Sequence, residues 1–419
     1  MSSQTVEVSD VFGVRPSVSQ YTYVDRGNLD TRLKVYLRDH LHLAISGDSK
    51  TGKSWLRQKI FDNPLVYQAR LRHETTDIYK EALRQLGIQL IIKETENGTK
   101  NYEFAATGEH GTSLLAKISA KLKLGYSASR SVEKQVIGEE VDNLQFICEA
   151  LKQSGRRLVI EDFHYLSEDV RTDLAHDLKT MWDYECFVTI VGIWSDDNLL
   201  HRLNSDLTER TKELTIKWSP EDLKQIVVKG GEVLNVSFSD KVTNFLVEIS
   251  YGNAGLLQAL LKELLYFHQV YETQKAEKLI DNYDDVESVA LAHADGLNTR
   301  YQDFAEKVNR GIRKRENSTD IYAHALAEIF GASDSELISG VDRNDIYNQA
   351  HARQPRIQKG NLRTALENFE RLQVDENGKG LVLAYSNDKV RCVDSQLLFY
   401  RRFSTVQWPW EEIIQEARK

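Results

Sequence analysis

Gly47-Asp48-Ser49-Lys50-Thr51-Gly52-Lys53-Ser54 sets two glycines, a lysine and a hydroxyl at the spacing with which a loop wraps a phosphate chain. A loop whose backbone N–H groups point inward needs glycine at its tight positions, which assigns the turns to Gly47 and Gly52. Lys53 is then placed to reach the β- and γ-phosphates, and the Ser54 hydroxyl to hold Mg²⁺. The apolar run Leu41-His42-Leu43-Ala44-Ile45-Ser46 reads as the strand before the loop, and Trp55-Leu56-Arg57-Gln58-Lys59-Ile60-Phe61 as the helix after it. The positive N-terminal end of that helix adds to the attraction for an anion. The chemistry implied is binding of ATP or GTP.

A second cluster completes such a site. Arg157-Leu158-Val159-Ile160-Glu161-Asp162 is an apolar strand ending in two acids. One carboxylate serves the metal and its neighbour orients or deprotonates the attacking water, so both are needed at the strand's C-terminal end. Either Glu161 or Asp162 fits the metal side. Adjacent strand residues point to opposite faces, so the two can share the work only if the strand ends there. Phe187 to Ser195 forms a further strand, and Ser195 closes it where a sensor of the γ-phosphate belongs. Arg210 precedes the last strand, Lys212 to Trp218, and is placed to reach a neighbouring subunit's nucleotide.

These residues need a scaffold, and the chain supplies one. At 419 residues it exceeds a single ordinary core, and about 150 residues per domain gives two to three domains. A composition of 41% hydrophobic and 28% charged residues is that of a globular protein. A net charge of −9 argues against a surface that coats nucleic acid broadly, while leaving room for a local basic patch. Cys148, Cys186 and Cys392 match no zinc or redox spacing, which fits a reducing compartment. No apolar run approaches the roughly 18 residues of a membrane span, and no leader precedes the first strand, so the expectation is a cytoplasmic protein with no membrane partner.

Residues 1–40 are expected to form an N-terminal segment packing on the ATPase core. Within it Tyr21-Thr22-Tyr23-Val24 brings aromatic surface near the loop, and Tyr23 either meets the nucleotide base or simply docks. The core spans 41–218, with alternating strands and helices and hence a parallel sheet. The pattern dissolves over about 93–130, which reads as an insertion. Its middle, Leu114 to Leu124, alternates apolar and basic residues and serves either a partner-facing element or a solvated excursion. Ser219-Pro220-Glu221-Asp222 is a helix start, with a capping hydroxyl, proline at the first position and acids in the first turn. It opens a helical lid over 219–285, followed by a helical connector over 286–318 that ends in Arg313-Lys314-Arg315. Residues 319–419 give three helices, Ile321 to Phe330, Asp342 to Ala352 and Asn361 to Leu372. A hairpin follows, with Asn377 to Gly380 before it and Ser386-Asn387-Asp388 as its tight turn. Three helices and a two-stranded wing suggest a winged-helix domain. Arg353, Arg356, Lys359 and Arg363 at its third helix offer a DNA contact that Glu367 and Glu370 oppose. Phe399 to Phe403 and Trp408-Pro409-Trp410 look like an exposed docking surface.

With these pieces in order, residues 30–270 resemble the AAA+ and STAND branch of P-loop ATPases, in particular the origin-initiator and transposition-regulator ATPases and bacterial members linked to phage defence. The resemblance implies an α/β fold: a parallel-sheet P-loop AAA+ core, a helical lid and a C-terminal winged-helix domain. It matches Lys53 and Ser54 to the Walker A lysine and hydroxyl, Glu161 and Asp162 to the Walker B acids, Ser195 to the first sensor and Arg210 to the arginine finger. ATP and Mg²⁺ are the cofactors it implies. A homo-oligomer and a protein effector are the partners, with DNA through the winged helix as the alternative. Many lids of this branch carry an arginine where this chain has Gly255, in Gly252-Asn253-Ala254-Gly255. That departure points to a slow ATPase switch rather than a continuous motor, and the resemblance, with no effector motif in the chain, implies a scaffold or regulator in a bacterial anti-phage assembly. The alternative is an initiator- or transposition-regulator-like ATPase that loads partners on DNA.

Overall fold

The computed structural model describes residues 5–94, 100–106, 108–121, 134–137, 144–194, 199–311, 318–373 and 381–416. The chain forms two compact units. A sheet unit takes residues 28–46 and 56–215, and a helical unit takes 1–27, 47–55 and 216–419.

In the sheet unit, β1 (His42–Ser46) and β2 (Leu65–Gln68) are followed by β3 (Ile88–Glu94), β4 (Lys100–Ala106) and β5 (Lys134–Ile137), then by β6 (Leu158–Glu161), β7 (Thr189–Gly192) and β8 (Thr211–Thr215). Five of these form one sheet in the order β2-β6-β7-β1-β8, with every pairing parallel. Parallel pairing brings Ser46, Gly192 and Glu161, the last residues of β1, β7 and β6, to one edge of the sheet. Both faces are covered, which is why β1, β6 and β7 are buried at every position and read as continuous apolar runs. The helix Thr75–Gln85 turns Ile78, Ala82 and Leu83 into this core, on the period the sequence shows.

Over the region expected to be an insertion, the described residues form regular elements, and these begin before residue 93. β3, β4 and β5 form their own antiparallel sheet, β3 starting at Ile88. The helix Gly108–Lys121 buries Leu115 and Ile118 completely. The alternation over Leu114 to Leu124 is therefore a helix with an apolar face, at least as far as Lys121. Residues 122–130 lie outside the described residues.

In the helical unit the lid starts as its caps dictate: Ser219 Oγ accepts from Asp222 N at 3.1 Å at the head of Pro220–Leu234. Helices Asp240–Ile249 and Ala254–Phe267 follow, and β9 (Val236–Phe238) pairs in parallel with β10 (Lys278–Ile280). Of the N-terminal segment, residues 1–27 belong to this unit and bury Val8, Val11, Phe12 and Val24 among these helices, whereas residues 28–40 belong to the sheet unit. The Phe12 ring lies against Gly230, where any Cβ would overlap it. The connector is equally part of this core, since helices Tyr283–Gly296 and Asn298–Arg310 bury Val286, Ala290, Tyr301 and Val308. Arg313, Lys314 and Arg315 lie outside the described residues.

The C-terminal region carries helices Ile321–Gly331, Arg343–Arg353 and Lys359–Glu367, within a few residues of their expected places. Here β11 (Val341–Asp342), β12 (Leu383–Ser386) and β13 (Lys389–Cys392) form a sheet in the order β11-β13-β12. The hairpin turn is at Asn387 and Asp388, both with positive φ, as a two-residue primed turn requires; Asn377 to Gly380 lie outside the described residues. The expected aromatic docking surface is not one: Phe399 and Tyr400 are fully buried, Trp410 is 3% exposed, and Trp408 stacks on Trp410 against Phe330. Both rings lie within 5 Å of the Phe330 ring, 4.6 and 4.8 Å between centroids, and this packing takes their apolar faces out of water.

Candidate functional site

The loop Gly47–Gly52 leaves β1 without a break, and Lys53 opens the helix Lys53–Ile60. Its carbonyls are all held. Lys53 Nζ donates to Gly47 O at 2.8 Å and Asp48 O at 2.6 Å. Asn253 Nδ2 donates to Ser49 O at 3.1 Å, and the Gly255 N–H to Lys50 O at 3.2 Å. Trp218 Nε1 donates to Thr51 O at 3.0 Å, and the Arg26 guanidinium to Gly52 O at 3.4 Å while lying 4.4 Å over the Trp218 ring. A loop whose carbonyls are engaged in this way can leave its amide N–H groups for an anion, as in a backbone nest. Lys50 and Gly52 take positive φ within it, and at Gly47 a Cβ would come 2.9 Å from Ile216 O.

Asn253 is the hub of these contacts. It is fully buried, its Oδ1 caps the helix Ala254–Phe267 by accepting from Leu256 N at 3.0 Å, and its Nδ2 also reaches Ser395 Oγ at 3.1 Å. The neighbouring Gln396 Oε1 accepts from Lys50 Nζ at 2.9 Å and from Arg300 at 3.3 Å, and Arg300 and Tyr301 hold the buried Asp394 carboxylate at 2.6 and 2.9 Å. The loop, the lid and the segment after β13 are thus joined by direct hydrogen bonds. Gly255 is explained by the same packing, because a Cβ there would stand 2.8 Å from Lys50 Cβ. No larger side chain fits at that position while the loop keeps its place. Burial pushes the Asp48 carboxyl up to about 6, against the pull of Lys53 and with the push of Asp394.

In the sheet unit, β6 ends at Glu161. Asp162 takes a left-handed conformation, φ 57°, and leads into a short turn. The strand therefore stops between the two acids. Glu161 is buried and its Oε1 lies 2.6 Å from Arg57 Nε. Asp162 accepts from the Gln68 side-chain amide at the end of β2. Arg210 sits at the opposite edge: its carbonyl accepts from His42 N, at the start of β1. Its guanidinium donates to Asp206 O at 2.5 Å and lies 4.9 Å over the Trp182 ring. Ser195 lies outside the described residues. Tyr23 is half-buried, and its carbonyl accepts from Lys229 at 2.9 Å; from its segment it is Arg26 that meets the loop.

The arginines suggested for DNA are engaged within the domain. Arg353 pairs with Glu328 and donates to His324 O, Arg356 donates to Ser318 O at 3.1 Å, and Arg363 pairs with Glu367 at 2.8 Å. Among the described residues, no group of three or more His, Cys, Asp and Glu could hold a metal by itself, and no helix is long and apolar enough to cross a membrane.

Asn253, Trp218, Arg26, Arg57 and Gln396 went unassigned in the sequence. Asn253 alone left a signal there, as the cap before the apolar run Leu256 to Leu265.

The order β2-β6-β7-β1-β8, the loop after β1 and the acids after β6 define an α/β P-loop core, with helical and C-terminal domains after it. Among solved structures, the chain is similar to the Orc1 protein of Aeropyrum pernix in complex with DNA, at 12% identity over 96% of this chain and 97% of that one, TM-score 0.39. It is similar to Cdc6p of Pyrobaculum aerophilum at 10% identity over 99% and 100%, TM-score 0.40. It is also similar to a signal transduction ATPase with numerous domains (STAND) carrying a tetratricopeptide repeat sensor, from Pyrococcus horikoshii, at 12% identity over 97% of this chain and 45% of that one, TM-score 0.38. No protein-family model matches the chain, and no curated protein matches it.

Proposed function

We propose that the protein is an ATP-binding and ATP-hydrolysing switch of the AAA+/STAND kind, with a winged-helix C-terminal domain, that acts as scaffold or regulator for a protein partner. One observation carries this reading. The loop's own residues are hydrogen-bonded both to the lid, through Asn253 and Gly255, and to the segment after the wing, through Gln396. Whatever occupies the loop bears on both.

In this reading Lys53 leaves the Gly47 and Asp48 carbonyls for the β/γ-phosphates, and the inward N–H groups hold the β-phosphate. Glu161 and Asp162 offer oxygen donors suited to Mg²⁺, which neutralises phosphate charge when bound, and the resemblance adds the Ser54 hydroxyl as a ligand. Glu161 is the metal-side acid, and Asp162, beyond the strand end, takes the proton of the attacking water. Arg210 serves the nucleotide of a neighbouring copy. The setting in bacterial anti-phage defence rests on the resemblance of residues 30–270 alone. The alternative of loading partners on DNA is disfavoured by the pairing of Arg353 with Glu328, both largely covered, and by the acids Glu367 and Glu370 near the third helix.

Equilibrium binding of fluorescent ATP and GTP analogues, with hydrogen exchange on the same samples, tests the reading. ATP is expected to change exchange at 253–256 and 394–397 as well as in the loop. Lys53→Ala is expected to abolish binding and these changes together. ATP affinity unchanged in Lys53→Ala, or exchange altered in the loop only, would refute it.

A further inference from the structure

Resting on the nucleotide reading above, the structure assigns Arg57 a role in that site: we propose that it is a built-in counter-ion of Glu161, so that a divalent cation engages this carboxylate only in competition with the guanidinium. Arg57 lies one helical turn after Lys53 and three residues after Ser54, so it shares their face of the helix Lys53–Ile60. Glu161 is the last residue of β6, held by parallel pairing to Gln68. The two meet at 2.6 Å between Arg57 Nε and Glu161 Oε1, with side chains only 15% and 8% exposed. At that exposure water screens the pair weakly, unlike a surface ion pair that salt and solvent reduce to little.

A carboxylate that binds a metal, directly or through its water, does so with its negative charge and lone pairs. Here one oxygen already accepts a charge-assisted hydrogen bond from a fixed cation. A divalent ion must therefore loosen that bond or share the carboxylate with a like charge nearby. The nucleotide consequently binds with little need of metal, and metal engagement becomes a separate, weaker step. Were Arg57 instead an orienting partner that presents Glu161 to the metal, removing it would weaken metal binding. The two roles predict opposite signs.

The test is a Mn²⁺ titration of the full chain, followed by the free-ion paramagnetic resonance signal, with a slowly hydrolysed ATP analogue bound and nucleotide affinity measured alongside. Arg57→Gln is expected to tighten Mn²⁺ by about tenfold, the low end of what outer-shell partners contribute at metal sites. In a Glu161→Gln background the same change is expected to have little effect, because the carboxylate competed for is gone. Unchanged or weaker Mn²⁺ binding in Arg57→Gln overturns the proposal. Equal tightening in the Glu161→Gln background also overturns it, since the effect is then the general field of a lost charge. Should Arg57→Gln not fold, Arg57→Lys keeps the stem and charge without the Nε–H, and tightening of a few-fold is expected; none overturns the idea. A wild type that binds no nucleotide strikes the reading of the loop, whereas a wild type that binds the analogue without these shifts strikes Arg57 alone.

Discussion

Asp48→Asn is expected to stabilise the protein at neutral pH and to do nothing in acid. Asp48 sits inside the loop, and burial raises its carboxyl from 3.8 to about 6 even though Lys53 and Lys217 pull it down. A shift of about 2 units corresponds to about 3 kcal/mol at most, at 1.36 kcal/mol per unit. Asp48 is half-buried, so solvent screening reduces this to roughly 1–2 kcal/mol. The folded-state value lies above the unfolded one, so between pH 3.8 and about 6 the folded chain binds the extra proton. Stability therefore falls as pH rises through that window, and the full penalty stands above about 6. Asparagine keeps the shape and never ionises. Denaturant midpoints of nucleotide-free wild type and variant from pH 4 to pH 8, read by tryptophan fluorescence, are expected to coincide near pH 4. They should separate between about 4 and 6, with the variant the more stable by roughly 1–2 kcal/mol at pH 7. A difference that does not vary with pH would refute the reasoning. So would a wild type that is the more stable at pH 7, because Asp48 would then be stabilised by Lys53 more than it is penalised by burial.

Asp162→Asn should keep nucleotide affinity and lower hydrolysis by about 10²–10⁴, the usual worth of a positioned base, since asparagine tolerates the left-handed backbone there; single-turnover rates equal to wild type would remove Asp162 from the chemistry. Gly255→Ala forces a Cβ to 2.8 Å from Lys50 Cβ; a loss of about 1–3 kcal/mol in stability and weaker ATP binding are expected by thermal shift and titration, and wild-type values for both would mean the lid does not press on the loop. Arg210→Ala distinguishes a finger, worth about 10³–10⁵ in rate, from its local stacking on Trp182, worth about 0.5–1 kcal/mol of stability. Hydrolysis per subunit is expected to rise with protein concentration in the wild type and not in the variant, and a rate flat in both would dismiss the finger.

The loop Gly47–Ser54 was legible because its information is local: glycine spacing, the strand before it and the helix after it all lie within about two turns of chain. The same holds for the cap at Ser219, the parallel core read from β1, β6 and β7, and the positive-φ turn at Asn387-Asp388. None of these depends on a distant residue. What holds the loop open was not legible in the same way. Asn253 reaches Ser49 across 204 positions and Lys50 reaches Gln396 across 346, and neither an asparagine cap nor a glutamine announces such a partner. Gly255 read as a missing arginine until the nearness of Lys50 Cβ showed why no side chain fits. Whether Glu161 and Asp162 lie on one strand or either side of its end was not legible, because the end is set by the left-handed backbone at Asp162 and by pairing with β2. Trp408 and Trp410 carry the composition of a docking surface, yet Phe330 covers them. Apolar residues announce that they will be buried but not against what. Sequence fixes the elements and their chemistry, while the choice among partners for each apolar face and polar tip is a matter of packing, and only the assembled tertiary structure decides it.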